Sequence, residues 1–159
     1  MMKKYGRKNY FFELNPVKEF PKSQEKIGHK TSKLEKEIFE FLNETNFDFV
    51  SSFNSNKQWC INDLKKSGRI FFVDFFFKDI DLCVEVFGDY WHVNTELYSD
   101  DFYHKHKQKT AKEIRESDYE RLSSIRNKGF DIVVIWEHDW NKEKEKTKSI
   151  LLEVLSGYN

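Results

Sequence analysis

Arg69–Asn94, RIFFVDFFFKDIDLCVEVFGDYWHVN, carries Asp74, Glu85 and His92 along two apolar runs that end at a glycine corner. Runs of this length rich in Phe, Val and Ile predict strands buried on both faces. Carboxylates are rarely fully buried unless they are paired or bound to a metal. Two of them inside such strands, with a Trp-His at the exit, therefore need a compensating charge. Arg69–Phe77 and Ile80–Phe87 meet through Lys78-Asp79, a joint short enough to require an antiparallel hairpin. That register brings Asp74 and Glu85 together near Gly88, where two carboxylates repel unless a cation lies between them. Gly88 is placed at a turn with positive φ.

Upstream, Thr31 or Ser32 starts a helix with Glu35 in its first turn, and Leu34, Ile38, Phe41 and Leu42 follow at helical spacing. Phe47–Phe53 alternates as a first strand, and residues 54–68 read as a polar loop in which Trp59 and Ile61 cover an edge. Downstream, residues 95–107 read as a loop, with His104-Lys105-His106-Lys107 as a basic surface stretch. A helix over Thr110–Asn127 turns Ile114, Leu122 and Ile125 inward and stops at Lys128-Gly129. Phe130–Trp136 is a buried strand, parallel to a hairpin strand by right-handed crossover. Asn141–Leu155 forms a last amphipathic helix with Ile150, Leu151, Val154 and Leu155 inward, and the Glu/Lys alternation over Lys142–Lys148 forms its solvated face.

The expected fold is thus α/β, a mixed sheet of a hairpin plus a parallel crossover strand, flanked by helices. Residues 31–159 form one domain. Residues 1–30 form a basic arm in which Lys3, Lys4, Arg7 and Lys8 alternate with aromatic rings, a composition suited to phosphates and bases.

The chain of 159 residues is long enough to bury about two-thirds of its unfolded surface, and 16 phenylalanines supply the core. Formal net charge is zero, so any affinity for nucleic acid has to come from local patches. Cys60 and Cys83 read as buried free thiols rather than a disulfide framework. There is no apolar run of membrane-spanning length and no signal peptide, so a cytoplasmic protein with no membrane partner is expected.

Asp74 and Glu85 on a helix-then-sheet frame resemble the PD-(D/E)XK nuclease superfamily, with Phe87 where its pattern has lysine. A closer resemblance lies in Val86-Phe87-Gly88-Asp89-Tyr90-Trp91-His92. It is similar to the glycine-aromatic-Trp-His corner of very short patch repair endonucleases and of E-D-H-D phage homing endonucleases. Gly129–Glu137 is similar to the Trp-Glu strand of those families, and the likeness spans roughly residues 31–140.

The resemblance implies a restriction-endonuclease-like core and a Mg²⁺-dependent endonuclease acting on DNA, with Mn²⁺ as a substitute. Phage relatives extend this to a phage-encoded protein working inside a bacterial host. Glu35, Asp74, His92 and Asp118 match the four active-site positions, and Glu85 is an added acid. The metal would be held by Asp74, Glu85 and a backbone carbonyl at Val86. His92, whose type titrates near neutrality, would take the proton from water, oriented by Asp118 or Glu35. Lys109 and Lys112, placed on the following helix, would reach the scissile phosphate in place of the missing lysine.

The repair enzymes' structural zinc is not expected, because Val93-Asn94-Thr95-Glu96 and His138 stand at its ligand positions. The alternative is a catalytically silent module that keeps the fold to bind nucleic acid or a partner. The missing lysine motivates it.

Overall fold

The computed structural model describes residues 32–55, 58–62 and 70–158. The basic arm over residues 1–30, with Lys3, Lys4, Arg7 and Lys8, lies outside the described residues. Ser32 is the first cap: in extended backbone it accepts the Glu35 amide at 3.0 Å and starts α1 (Lys33–Asn43). Ile38 and Leu42 on that helix are fully buried, and Leu34 and Phe41 pack against the same core.

The expected strand over Phe47–Phe53 shrinks to β1 (Val50–Ser51). Asn54 folds back on it, accepting the Ser51 amide and donating to the Phe49 carbonyl, which diverts the backbone from further pairing. Trp59 and Ile61 belong to a strand, β2 (Trp59–Asn62), not to a covering loop. Its partner is β3 (Ile70–Val73), antiparallel, with Trp59 opposite Val73. The expected single strand Arg69–Phe77 is broken at Asp74, after which β4 (Phe75–Phe77) joins a different sheet. The Lys78-Asp79 joint is longer than expected: a 3₁₀ turn over Lys78–Ile80 and a left-handed Asp81 lead into β5 (Leu82–Phe87).

β6 (Tyr103–His104) and β7 (Lys109–Thr110) form a small antiparallel ribbon. Thr110 then caps α2 (Ala111–Asn127) through a complete capping box with Glu113. Gly129, with φ of 90°, closes the helix in the left-handed conformation and releases β8 (Asp131–Trp136). The expected last helix is two: α3 (Glu137–Lys142) and α4 (Lys144–Ser156), separated by non-helical backbone at Glu143. Leu151, Val154 and Leu155 are buried on α4, whereas Ile150 faces outward, 50% exposed.

The main sheet runs β1-β4-β5-β8, with β5 antiparallel to β4 and parallel to β8. It is therefore a mixed sheet with helices on its faces, the α/β class expected. Alternation along β4 and β5 divides the core. Phe75, Phe77, Leu82, Val84 and Val86 pack with Ile38 and Leu42 of α1, with Trp140 and with α4. Phe76 and Cys83 point the other way, to the β2–β3 ribbon, Phe130 and Ile125 of α2. Glu85 has the parity of Cys83, so its side chain heads toward α2. Both cysteines are buried free thiols. Among the described residues no helix is long and apolar enough to cross a membrane.

Phe76 is fully buried between a stacked Trp59, centroids 4.5 Å apart, and an edge-on Phe130 at 5.5 Å. Phe76→Ala should lower unfolding free energy by about 3–5 kcal/mol in a urea titration, as expected for an emptied aromatic site. A loss under roughly 1 kcal/mol would mean that the ribbon does not pack on the sheet as described.

Candidate active site

The break between β3 and β4 places Asp74 where its carboxylate is not lost into a ladder. Oδ2 of Asp74 accepts the Val86 amide of β5 at 2.9 Å. Glu85, next along β5, is 4% exposed and hydrogen-bonds Asp74. Burial, followed by the neighbouring charge of Asp74, pushes the Glu85 acid from 4.5 up to about 8. The opposing pull comes from Arg121 of α2, whose Nη2 donates to Glu85 Oε1 at 3.0 Å and also to the Phe72 carbonyl.

The corner after β5 is built by its own side chains. The His92 amide donates to the Gly88 carbonyl and the Asn94 amide to the Asp89 carbonyl, both at 3.0 Å. Asp89 Oδ1 accepts Asn94 Nδ2 at 2.8 Å and the His138 amide at 3.3 Å. Glu137 Oε2 accepts the Asp89 amide at 2.9 Å. The Asp-x-x-x-x-Asn spacing and the distant Trp-Glu pair are thus parts of one clamp.

Gly88 does not take the positive φ expected of it; Val93 does, with φ of 47°. A β-branched residue there stores strain of about 1–3 kcal/mol. Burial of Val93 against Ala111 and Ile114, and the Arg115 Nε bond to its carbonyl at 2.8 Å, hold it in place.

The clamp delivers His92 to two partners. Its Nδ1 meets Asp118 Oδ2 of α2 at 2.8 Å, and its ring stacks on Phe87, centroids 3.7 Å apart and planes 7° from parallel. Phe87, two residues after Glu85, therefore serves as the platform for the imidazole. With Nδ1 facing a carboxylate, the ring carries its proton there and leaves the Nε2 lone pair open.

Glu35, Val86, Trp91, His92 and Glu137 line one cleft of about 410 Å³. Val86 joins this cleft to the acid pair, because its amide is the group bound to Asp74. Four of the five acids and bases picked from sequence thus fall into two contacting pairs, Asp74–Glu85 and His92–Asp118. Glu35 shares the cleft of His92.

The basic residues fare differently. Lys109 lies in β7 rather than on the helix, and Lys112 is exposed on the first turn of α2. Lys107, read from sequence only as part of a basic surface stretch, donates to the Trp91 carbonyl and lines a depression with Lys109, Ser117 and Asp118. His104 is fully buried rather than a surface residue, its Nδ1 accepting the Lys107 amide at 3.1 Å beneath the Tyr90 ring. Where zinc ligation was not expected, His138 Nε2 pairs with Glu96 at 3.0 Å.

Arg121 was the principal omission. Its only sequence signal is a spacing of three from Asp118, which sets both on one helix face. Among the described residues, no group of three or more His, Cys, Asp or Glu side chains is arranged to hold a metal. The site offers two carboxylates, and a hard cation such as Mg²⁺ commonly takes one or two, completing its shell with water and phosphate oxygens. The donor set fits such an ion.

Comparison of the chain with protein-family models, curated proteins and solved structures returns no match.

Because the folded state holds the Glu85 proton above 4.5, it binds more protons than the unfolded chain up to about 8. Stability of the metal-free protein should therefore fall as pH rises across that interval, and Glu85→Gln should flatten the slope. Thermal midpoints measured over pH check this. An unchanged slope in the variant would assign the dependence to other groups.

Proposed function

We propose that this chain is a divalent-cation-dependent DNA endonuclease with a restriction-endonuclease-like core, similar to the very short patch repair and phage homing enzymes. The observation that carries this reading is the pairing of His92 with Asp118 beside a buried acid pair, linked to it through Val86. A histidine fixed by a carboxylate at one nitrogen and by a stacked ring on its face is prepared to act as a base at the other nitrogen.

Asp74 and Glu85, with the Val86 carbonyl, are the oxygens that would hold the cation. When bound, Mg²⁺ supplies positive charge for the phosphate and makes a nearby water more acidic. His92 Nε2 accepts the proton from the attacking water as its oxygen bonds to phosphorus. The bond from phosphorus to the 3′ oxygen breaks, leaving a 5′-phosphate, and that oxygen takes a proton from solvent. Asp118 keeps the ring in the required tautomer and offsets the positive charge the ring gains. Glu35, across the cleft, can hold water for the reaction.

Cleavage of a supercoiled plasmid with Mg²⁺, abolished by EDTA, tests the reading. Asp74→Ala should remove the activity while the protein stays folded, and full activity in that variant would overturn the proposal. His92→Ala should slow cleavage by about 10²–10⁴-fold, the usual contribution of a positioned base. Asp118→Asn should reproduce a large part of that loss, since it disturbs the tautomer rather than the fold.

The Glu85–Arg121 ion pair favours a second reading, a silent module that binds DNA, because it compensates the buried acid without a metal. Tight DNA binding by the wild-type protein with no Mg²⁺-dependent turnover would select it.

A further inference from the structure

Phosphodiester cleavage gains from a cationic side chain beside the metal, and position 87 cannot give one. Phe87 is committed to the His92 ring. Lys109 and Lys112 are exposed, Lys109 in the depression it shares with Asp118, and Lys107 is tied to the Trp91 carbonyl.

Arg121 is placed differently. It sits one turn after Asp118 on α2, so the same helix face that holds His92 also reaches Glu85. Its side chain is 24% exposed where Glu85 is 5% exposed, so the guanidinium lies between the buried acid and solvent. Asp74 and Asp118 also act on it electrostatically, which puts it in the field of three carboxylates. Both bonds in the structure use Nη2, to Glu85 and to the Phe72 carbonyl. Among the described residues Nη1 and Nε have no acceptor, so three donors in a planar fork stay available to a phosphate.

Resting on the endonuclease reading, we propose that Arg121 is the positive charge of this active site, holding Glu85 between turnovers and donating to the scissile phosphate during cleavage. It supplies from α2, across space, what the lysine two residues after the second acid supplies in the superfamily pattern. Arg121 exchanges no proton. Its N–H groups bond the non-bridging oxygens as water adds to phosphorus, while His92 takes the proton and the 3′ oxygen leaves. It also opposes entry of a cation at Asp74 and Glu85 until DNA draws the guanidinium away, which couples metal occupancy to substrate.

Wild-type protein, Arg121→Met and Arg121→Lys should be compared by single-turnover plasmid cleavage with Mg²⁺ and by Mn²⁺ binding to the DNA-free protein. Arg121→Met should lower the cleavage rate by about 10²–10³-fold, the size seen when a preorganised donor to transition-state charge is lost. It should also bind Mn²⁺ more tightly than wild type, a change that mere loss of packing does not produce. Arg121→Lys keeps a cation beside Glu85 and should recover part of the rate; it serves as the test variant if the methionine form does not fold. A folded variant that cuts within about twofold of wild type, or Mn²⁺ affinity unchanged in it, overturns the role of Arg121 while the endonuclease reading stands. A wild-type protein that does not cut DNA at all overturns both.

Discussion

The carboxylate of Glu85 sits in the middle of β5, a strand with all six residues buried, and that single charge constrains what surrounds it. Left alone, such a group costs several kcal/mol to remove from water. The fold answers with an arginine from α2 on one side and a hydrogen bond to Asp74 on the other. The answer is partial, since the acid still holds its proton well above the ordinary range. A buried acid offset by a single arginine is a poor way to gain stability.

The break at Asp74 follows from the same requirement. A continuous strand would have set that carboxylate in register and left the Val86 amide to the ladder. Instead the chain leaves the β2–β3 ribbon at Asp74 and joins the main sheet one residue later. The bend allows Oδ2 to take the Val86 amide. α2 then joins the two halves of the site, because Asp118 and Arg121 leave it on one face, one to His92 and the other to Glu85. The capping box at Thr110 and the left-handed Gly129 fix where that helix begins and ends, and hence where those two side chains emerge.

The corner shows how a short sequence pattern encodes a backbone path. Asp89 accepts from Asn94 and from the His138 amide while giving its own amide to Glu137, so residues nearly fifty apart close one loop. This clamp holds Val93 in a backbone region unfavourable to its side chain, and the neighbouring His92 is thereby turned onto Phe87 and Asp118. Phe87 is a platform at a position where a charge would repel the protonated ring.

Sequence by itself determined the α/β class, a last strand parallel to one strand of the hairpin and the capped α1 and α2, because periodicity, caps and glycine stops are local signals. It also picked out the corner, whose residue types are specific. It misplaced the Asp74 break, the β2–β3 ribbon, the buried His104 and the left-handed residue at the corner, and it did not find Arg121. Each of these depends on partners distant in the chain: a strand that changes sheets, a histidine covered by Tyr90, a valine held by α2, an arginine meeting an acid 36 positions earlier. Beyond its spacing from Asp118, one arginine among many basic residues has no local mark, and only packing α2 across β5 decides which of them faces the buried charge.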